Sequence, residues 1–225
     1  MQSVNECCKK VKKDYLKFLK KEKILNKSSS HKMNNLKNFY VPMSFWINNK
    51  YKKKGDTLIL GLSGSQGSGK TTTGGILKVI LKKFFKKNVF VISIDDFYKT
   101  LKDRSVLSKN KNLLFKTRGV PGTHDINLIK NFFDLVKKKK FKKIKLPKFN
   151  KSQDDRLEKN KWYTIKQRPE IVIFEGWCVG AKPQSNLSLK KPVNDLEKYE
   201  DKNLTWRKYV NEKLKSDYKK VFKMI

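Results

Sequence analysis

An α/β fold, with helices layered on both faces of a central parallel sheet and a helical segment ahead of it, is what this sequence predicts, and three observations carry the prediction. Residues 57–62, 88–94 and 170–174 are β-rich apolar runs almost free of charge, the pattern of strands buried on both faces of a parallel sheet. Residues 72–85 have helical spacing, so strand, helix and strand follow one another as a βαβ unit. Between that first strand and the helix lies the glycine-rich stretch Gly64-Ser65-Gln66-Gly67-Ser68-Gly69-Lys70-Thr71. At 225 residues, 37% hydrophobic and 12% aromatic, the chain can bury one sizeable core with an appendage. The expected division is a helical appendage over residues 1–45 and a core over residues 46–225.

Taken in order, residues 1–25 place Val11, Tyr15, Phe18 and Leu19 at helical spacing among lysines and read as an amphipathic helix. A basic helix of this kind can lie on a membrane, but its narrow apolar face suits packing on its own domain better. Residues 27–38, with Ser28, Ser29, Ser30 and His31, read as a polar loop with a surface histidine. Residues 39–47 turn apolar, and residues 48–55 read as a charged turn before the first strand. The helix from Lys70 carries Ile76, Val79, Ile80 and Phe84 on one side. The second strand ends at Asp95-Asp96, expected at the sheet edge where open α/β sheets bind ligands. Residues 99–116 read as a helix with loops, and residues 117–125 as a loop ending in a helix start at Asp125. Ile126, Ile129, Phe132, Phe133 and Val136 form that helix's apolar side, ahead of a solvated lysine run. Residues 144–149 are a short extended piece and residues 150–156 a polar loop. Pro169 introduces the third strand, which ends at Glu175. No further strand is read after Trp177, only a loop and short helix, then helical spacing through Trp206, Tyr209, Val210, Leu214, Tyr218, Val221 and Phe222.

The glycine-rich stretch has the spacing of a phosphate-binding P-loop. Four residues between Gly64 and Gly69 wrap one turn of backbone around an anion, so that main-chain N–H groups and the following helix N-terminus point at it. Lys70 is then placed for the β- and γ-phosphates and the Thr71 hydroxyl for a bridging Mg²⁺. The competing reading is a glycine-rich turn with no ligand, against which stands the required strand before and helix after. Glu175, an acid closing four apolar strand residues, has the shape of the second nucleotide-site motif, whose carboxylate helps hold Mg²⁺.

The formal net charge of +35 invites a nucleic acid or an anionic membrane as partner. Yet only five arginines occur, Arg104, Arg118, Arg156, Arg168 and Arg207; lysine spread over the whole chain with much Asn, Ile and Phe looks like an A/T-rich codon bias. A dedicated nucleic-acid binder would more often use arginine, which contacts phosphate and guanine bidentately, so salt-sensitive, non-specific binding is expected instead. Cys7, Cys8 and Cys178 lack C-x-x-C spacing, which suggests neither a disulfide framework nor a zinc site and fits a reducing cytoplasm. No apolar run has the length of a membrane span, no signal-peptide core follows the N-terminal lysines, and nothing speaks to oligomeric state.

The segments G-L-S-G-S-Q-G-S-G-K-T-T, S-I-D-D-F-Y, N-L-L-F-K-T-R-G-V-P-G-T-H-D, F-N-K-S-Q-D-D-R and I-F-E-G-W-C-V-G-A-K-P, with P-V-N-D-L-E and W-R-K-Y-V-N-E, resemble the D-glycerate 3-kinase-like group of P-loop kinases. That group is similar in turn to uridine kinase, phosphoribulokinase and pantothenate kinase. The resemblance runs from about residue 39 onward and implies a P-loop NTPase fold and an ATP- and Mg²⁺-dependent kinase acting on a hydroxyl of a small molecule, D-glycerate being favoured. It implies nucleotide binding by Gly64 to Thr71 and Thr72, catalytic roles for Asp95 as base, Lys70 and Arg118, and metal contacts from Thr71, Glu175 and Asp95. Asp96 stands in reserve as the base. With Tyr98, His124, Asp125, Lys151 and Arg156, it completes the implied acceptor set. Plainer roles compete: Asp95 as a cap, His124 as a cap of the next helix, Asp155 as partner of Arg156, and Cys178 as a packed small hydrophobe. Two departures stand out. Asn150 sits where the group commonly has Asp, and the group continues past Ile225 with a further strand, an arginine-bearing lid and a last strand. Three strands of an expected five can be placed, so this chain alone is expected to be a poor enzyme with an open sheet edge. The alternatives are a kinase of another metabolite and a basic, ATP-sensing nucleic-acid-binding module.

Overall fold

The structure, a computed structural model, describes residues 3–24 and 29–225. In chain order its elements are α1 (Val4–Lys21), α2 (Ser29–Asn35), α3 (Val41–Lys54), β1 (Leu58–Ser63), α4 (Lys70–Lys83), β2 (Val89–Ser93), α5 (Leu101–Asn110), α6 (Ile126–Lys137), β3 (Ile144–Leu146), β4 (Phe149–Asn150), β5 (Asp155–Arg156), β6 (Tyr163–Ile165), β7 (Ile171–Gly176), α7 (Asn186–Lys190), α8 (Asp195–Tyr199), α9 (Thr205–Lys213) and α10 (Lys219–Phe222). Single π-helical turns at Leu36–Tyr40 and Leu214–Tyr218 join α2 to α3 and α9 to α10. The chain divides into two compact units, Met1–Ile92 with Lys139–Phe141 and Gln167–Trp177, and Ser93–Lys138 with Lys142–Lys166 and Cys178–Ile225.

The first unit holds the parallel sheet, in the order β1-β7-β2. β1 and β7 pair from Leu58 opposite Ile171 to Ser63 opposite Gly176, so both strands end at the same edge. All six residues of β7 are buried, as its unbroken apolar pattern predicts for a central strand. Leu77 and Leu81 of α4 and Ile47 of α3 pack on Ile171 and Ile173 of that sheet. Outside this layer, α1 lays Cys7, Val11, Tyr15 and Leu19, each four residues on from the last, against Ile76, Ile80 and Phe84. The approach is close at Gly75, where a Cβ would stand 2.3 Å from the Phe18 ring. The narrow apolar face of α1 thus packs on its own unit.

Two expectations are corrected here. Of the predicted loop at residues 27–38, Lys27 and Ser28 lie outside the described residues, but the rest is helical through α2 and the π-turn. Met33, Leu36 and Tyr40 recur three and four apart and bury against α1, and the Tyr15 hydroxyl donates to the Lys32 carbonyl at 3.0 Å. Serines and asparagines masked that stripe, and His31 meets the Asn35 amide at 3.3 Å. The charged turn at residues 48–55 is the last half of α3, with Ile47 and Asn48 buried and its terminal lysines placed where the helix dipole favours cations.

The second unit is α5, α6, two short antiparallel pairs and the C-terminal helices. β3 pairs with β6 and β4 with β5, neither partner strand having been read from the sequence. Asp125 caps α6 as predicted, its carboxylate accepting from the Leu128 N–H at 3.2 Å. Its aromatic core includes Phe97, Phe115, Phe132, Phe133 and Tyr218.

Candidate active site

In the first unit, the loop from Gly64 to Gly69 joins β1 to α4. Gly69 is the N-cap of α4 at φ 80, a left-handed conformation open to glycine, and no side chain caps the helix. The first-turn N–H groups of Lys70, Thr71 and Thr72 are therefore left for an anion. Ser65, Gln66, Gly67 and Ser68 are exposed, and the Ser68 N–H donates to the Ser65 carbonyl at 3.3 Å. Lys70 folds back over the loop, its Nζ donating to the same Ser65 carbonyl at 2.6 Å.

Glu175, near the end of β7, is 5% exposed. Its Oε1 accepts from the Thr71 hydroxyl at 3.1 Å, the single hydrogen bond it makes among the described residues. A nearly buried carboxylate with one neutral partner is short of positive charge, and the hydroxyl and carboxylate oxygens are the hard donors Mg²⁺ takes. These two residues fit that ion. No group of three His, Cys, Asp or Glu side chains able to hold a metal occurs among the described residues, so an ion here would complete its shell with phosphate and water.

In the second unit, the structure gathers Asp95, Asp96, Tyr98, His124 and Lys151. Asp95 follows β2 in a 3₁₀ turn whose N-cap, Ser93, accepts from the Asp95 N–H at 3.3 Å. Its carboxylate accepts from Lys151 Nζ at 2.9 Å. Asp96 turns the other way and accepts from the Phe149 N–H at 3.3 Å, and burial pushes its carboxyl up in pKa. Tyr98 stacks on His124, ring centroids 4.4 Å apart, and burial followed by the nearby Asp95 charge raises the phenol's pKa. His124 is 1% exposed and meets the Tyr218 hydroxyl through Nδ1 at 2.6 Å.

Arg156 pairs with Asp125 at 3.1 Å, a partner other than the neighbouring Asp155. Arg118 pairs with Asp154, which also holds Arg104. Arg104 is fully buried and gives Nη1 to the Lys116 carbonyl at 2.8 Å and Nη2 to the Asp154 carboxylate at 2.9 Å and to its main-chain carbonyl. Between β4 and β5, Asn150 accepts from the Ser152 N–H at 3.1 Å, so this cluster shapes the loop that carries Lys151. Sequence reasoning missed Arg104 and the Tyr218 contact, whose partners lie up to 50 and 94 residues away and leave little local signal. Cys178 is 1% exposed, and burial pushes its thiol up to about 12, the behaviour of a packed small hydrophobe.

No protein-family model matches the chain. Over 198 residues it is 32% identical to the chloroplastic D-glycerate 3-kinase of Arabidopsis thaliana, an alignment taking in 78% of this chain and 43% of that protein. Over 183 residues it is 34% identical to the uncharacterized kinase mug58 of Schizosaccharomyces pombe, with 77% of this chain and 64% of the relative aligned. The chain thus spans less than two thirds of the length of either relative. The structure of a D-glycerate 3-kinase from Cryptococcus neoformans superposes with a TM-score of 0.69 over 84% of this chain and 71% of that one, at 24% identity, which shows a shared fold.

Proposed function

We propose, from the premise that this chain is a D-glycerate 3-kinase-like P-loop kinase in sequence and fold, that it transfers the γ-phosphoryl group of ATP to a hydroxyl of a small molecule, with D-glycerate the favoured acceptor and 3-phosphoglycerate the product. The observation that carries the proposal is the buried Glu175 carboxylate, partnered among the described residues by the Thr71 hydroxyl alone, beside a helix N-terminus with no side-chain cap among them. An anion cradle next to a cation-seeking carboxylate is what a Mg²⁺-bound nucleotide needs.

Lys70 and the loop N–H groups would hold the β- and γ-phosphates, and Thr71 and Glu175 would hold Mg²⁺, Glu175 through water. Mg²⁺ would supply charge neutralisation along the phosphates. Asp95 would accept the proton of the acceptor hydroxyl as its oxygen bonds to the γ-phosphorus and the bond to the bridging oxygen of ADP breaks. Lys151, now on Asp95, would be released to a carboxylate of the acceptor or to the transferring phosphoryl group, with Arg118 as a second cation. A reducing cytoplasm suits Cys7, Cys8 and Cys178, all free thiols, and no helix among the described residues is long and apolar enough to cross a membrane.

The test is Mg²⁺-dependent ATP consumption with D-glycerate, pantothenate, uridine and ribulose 5-phosphate offered separately. Stimulation by glycerate is expected. Stimulation by nucleic acid and by none of the four would overturn the proposal in favour of a basic ATP-sensing module.

A further inference from the structure

Two arginines of the second unit share the Asp154 carboxylate, and they stand in different surroundings. Arg104 is fully buried, and each of its guanidinium nitrogens donates inside the protein. Nη1 meets the Lys116 carbonyl at 2.8 Å, Nη2 meets both the main-chain carbonyl of Asp154 and its Oδ2, the latter at 2.9 Å, and Nε makes a long contact of 3.4 Å with the Lys99 carbonyl. No ligand can reach it. Arg118 is 30% exposed, and its Nη1 donates to Asp154 Oδ1, its one hydrogen bond among the described residues. A guanidinium carries five N–H groups, so Arg118 keeps donors that no protein group among them takes.

Asp154 closes the turn 151–154 between β4 and β5, and its backbone is left-handed at φ 53, a conformation aspartate tolerates better than most residues. Arg104 grips it at the carbonyl and at Oδ2, which leaves Oδ1 for Arg118. On its other side the Arg118 guanidinium lies over the Phe149 ring, 5.4 Å from the centroid. A long cation held by a fixed carboxylate and an aromatic face has lost its freedom before any ligand arrives, so binding does not have to order it. Phe149 also touches the Asp95 cluster: its N–H donates to Asp96 at 3.3 Å, and its ring meets Tyr98 edge-on with centroids 5.2 Å apart. Lys151, at the start of the same turn, lies on Asp95 at 2.9 Å. The turn that Asp154 closes thus brings a stiffened Arg118 beside the residues proposed to meet the acceptor.

We infer that Asp154 is a positioning residue: with Arg104 as its buried anchor, its carboxylate holds Arg118 over Phe149 as a preorganised donor for the carboxylate of the acceptor. The identity of that anion rests on the kinase proposal, though the hold on Arg118 does not. Asp154→Gly keeps the left-handed backbone and the carbonyl that Arg104 grips, and deletes only the carboxylate. It should raise KM for D-glycerate about tenfold, with KM for ATP unchanged. Arg118→Gln should raise the same KM, and the double variant should be no worse than Arg118→Gln alone, because Asp154 acts through Arg118. The hold itself is read without activity, in ¹⁵N-arginine-labelled protein. Five arginines give five guanidinium systems, and Arg118→Gln identifies the one that matters. Rotation about its Cζ–Nε bond, which exchanges Nη1 and Nη2, should be slow in the parent and fast in Asp154→Gly. Fast rotation in the parent, an unchanged KM for glycerate in Asp154→Gly, equal changes in both KM values, or additive effects in the double variant would overturn the inference. Should Asp154→Gly not fold, Asp154→Asn takes its place under the same criteria, since it has one side-chain oxygen for two arginines and no charge. Slow rotation in the parent, released in the variant, in protein that no acceptor stimulates would support the hold by Asp154 and remove the kinase proposal instead.

Discussion

Replacing Arg104 by Met should be among the most damaging single changes in the second unit. The arginine is fully buried, and its fork ties together the Lys116 carbonyl, the Asp154 carbonyl and the Asp154 carboxylate. Methionine keeps most of the stem's packing but leaves the Lys116 and Asp154 carbonyls without their donor, at about 1–3 kcal/mol each, along with the Lys99 carbonyl, whose 3.4 Å contact with Nε is too long to add much. The Asp154 carboxylate is 37% exposed and keeps Arg118, so its share is discounted to about 0–1 kcal/mol. The expected loss is about 2–7 kcal/mol, a span centred near the ~3–5 kcal/mol met when one partner of a buried pair is removed. Urea unfolding followed by tryptophan fluorescence would read it as a lower midpoint at unchanged slope. Arg104→Lys keeps the charge but not the planar fork, and should recover only part of the loss. Asp154→Asn combined with Arg104→Met should cost less than the sum of the two. A midpoint shift worth less than about 1 kcal/mol, or full recovery in Arg104→Lys, would refute this account of the loop.

Lys70→Ala should lower both nucleotide affinity and turnover, whereas Asp95→Asn should leave ATP binding intact and cut turnover by roughly a hundredfold or more; equal loss of ATP affinity in both would reassign Asp95 to the metal. Glu175→Gln can still accept from Thr71 but carries no charge, so the Mg²⁺ concentration for half-maximal ATP turnover should rise roughly 10–100-fold; an unchanged Mg²⁺ titration would remove Glu175 from the metal. Burial depresses the His124 pKa to about 3 against the opposing pull of Asp95, while the unfolded chain takes up that proton near pH 6.5. The unfolded state then binds more protons below about pH 6.5, so stability should fall there by up to ~1.4 kcal/mol per pH unit until the folded pKa is reached. His124→Asn should lose that slope; parallel stability curves for the two proteins would show that His124 is not held neutral.

What could be read from the chain follows from how local each cause is. The P-loop was legible because its residues are consecutive and each glycine answers a backbone requirement. β7 was legible because a strand buried on both faces has no polar position to confuse the pattern, and Asp125 because capping is settled within three residues. α2 was missed because Ser29, Ser30, Asn34 and Asn35 are turn formers, and only contact with α1 makes a helix the better outcome. Motif resemblance named Asp95, Lys151 and His124 but could not say what each touches. That Lys151 would sit on Asp95, Arg156 on Asp125 and Tyr218 on His124 depends on pairings across 31 to 94 residues.

The seat of Lys70 on the Ser65 carbonyl bears on how nucleotide binding would register in a calorimeter. An incoming phosphate does not meet a waiting ammonium; it takes one from a ligand already 2.6 Å away. One charge-assisted hydrogen bond is exchanged for another, so the lysine should add little to the measured enthalpy, and most of the heat should come from main-chain N–H groups giving up water. The lysine's mark should lie instead in the ionic-strength dependence of the affinity, because a carbonyl dipole becomes a phosphate charge as its partner. Lys70→Met would then flatten the salt dependence while leaving the enthalpy close to that of the parent protein.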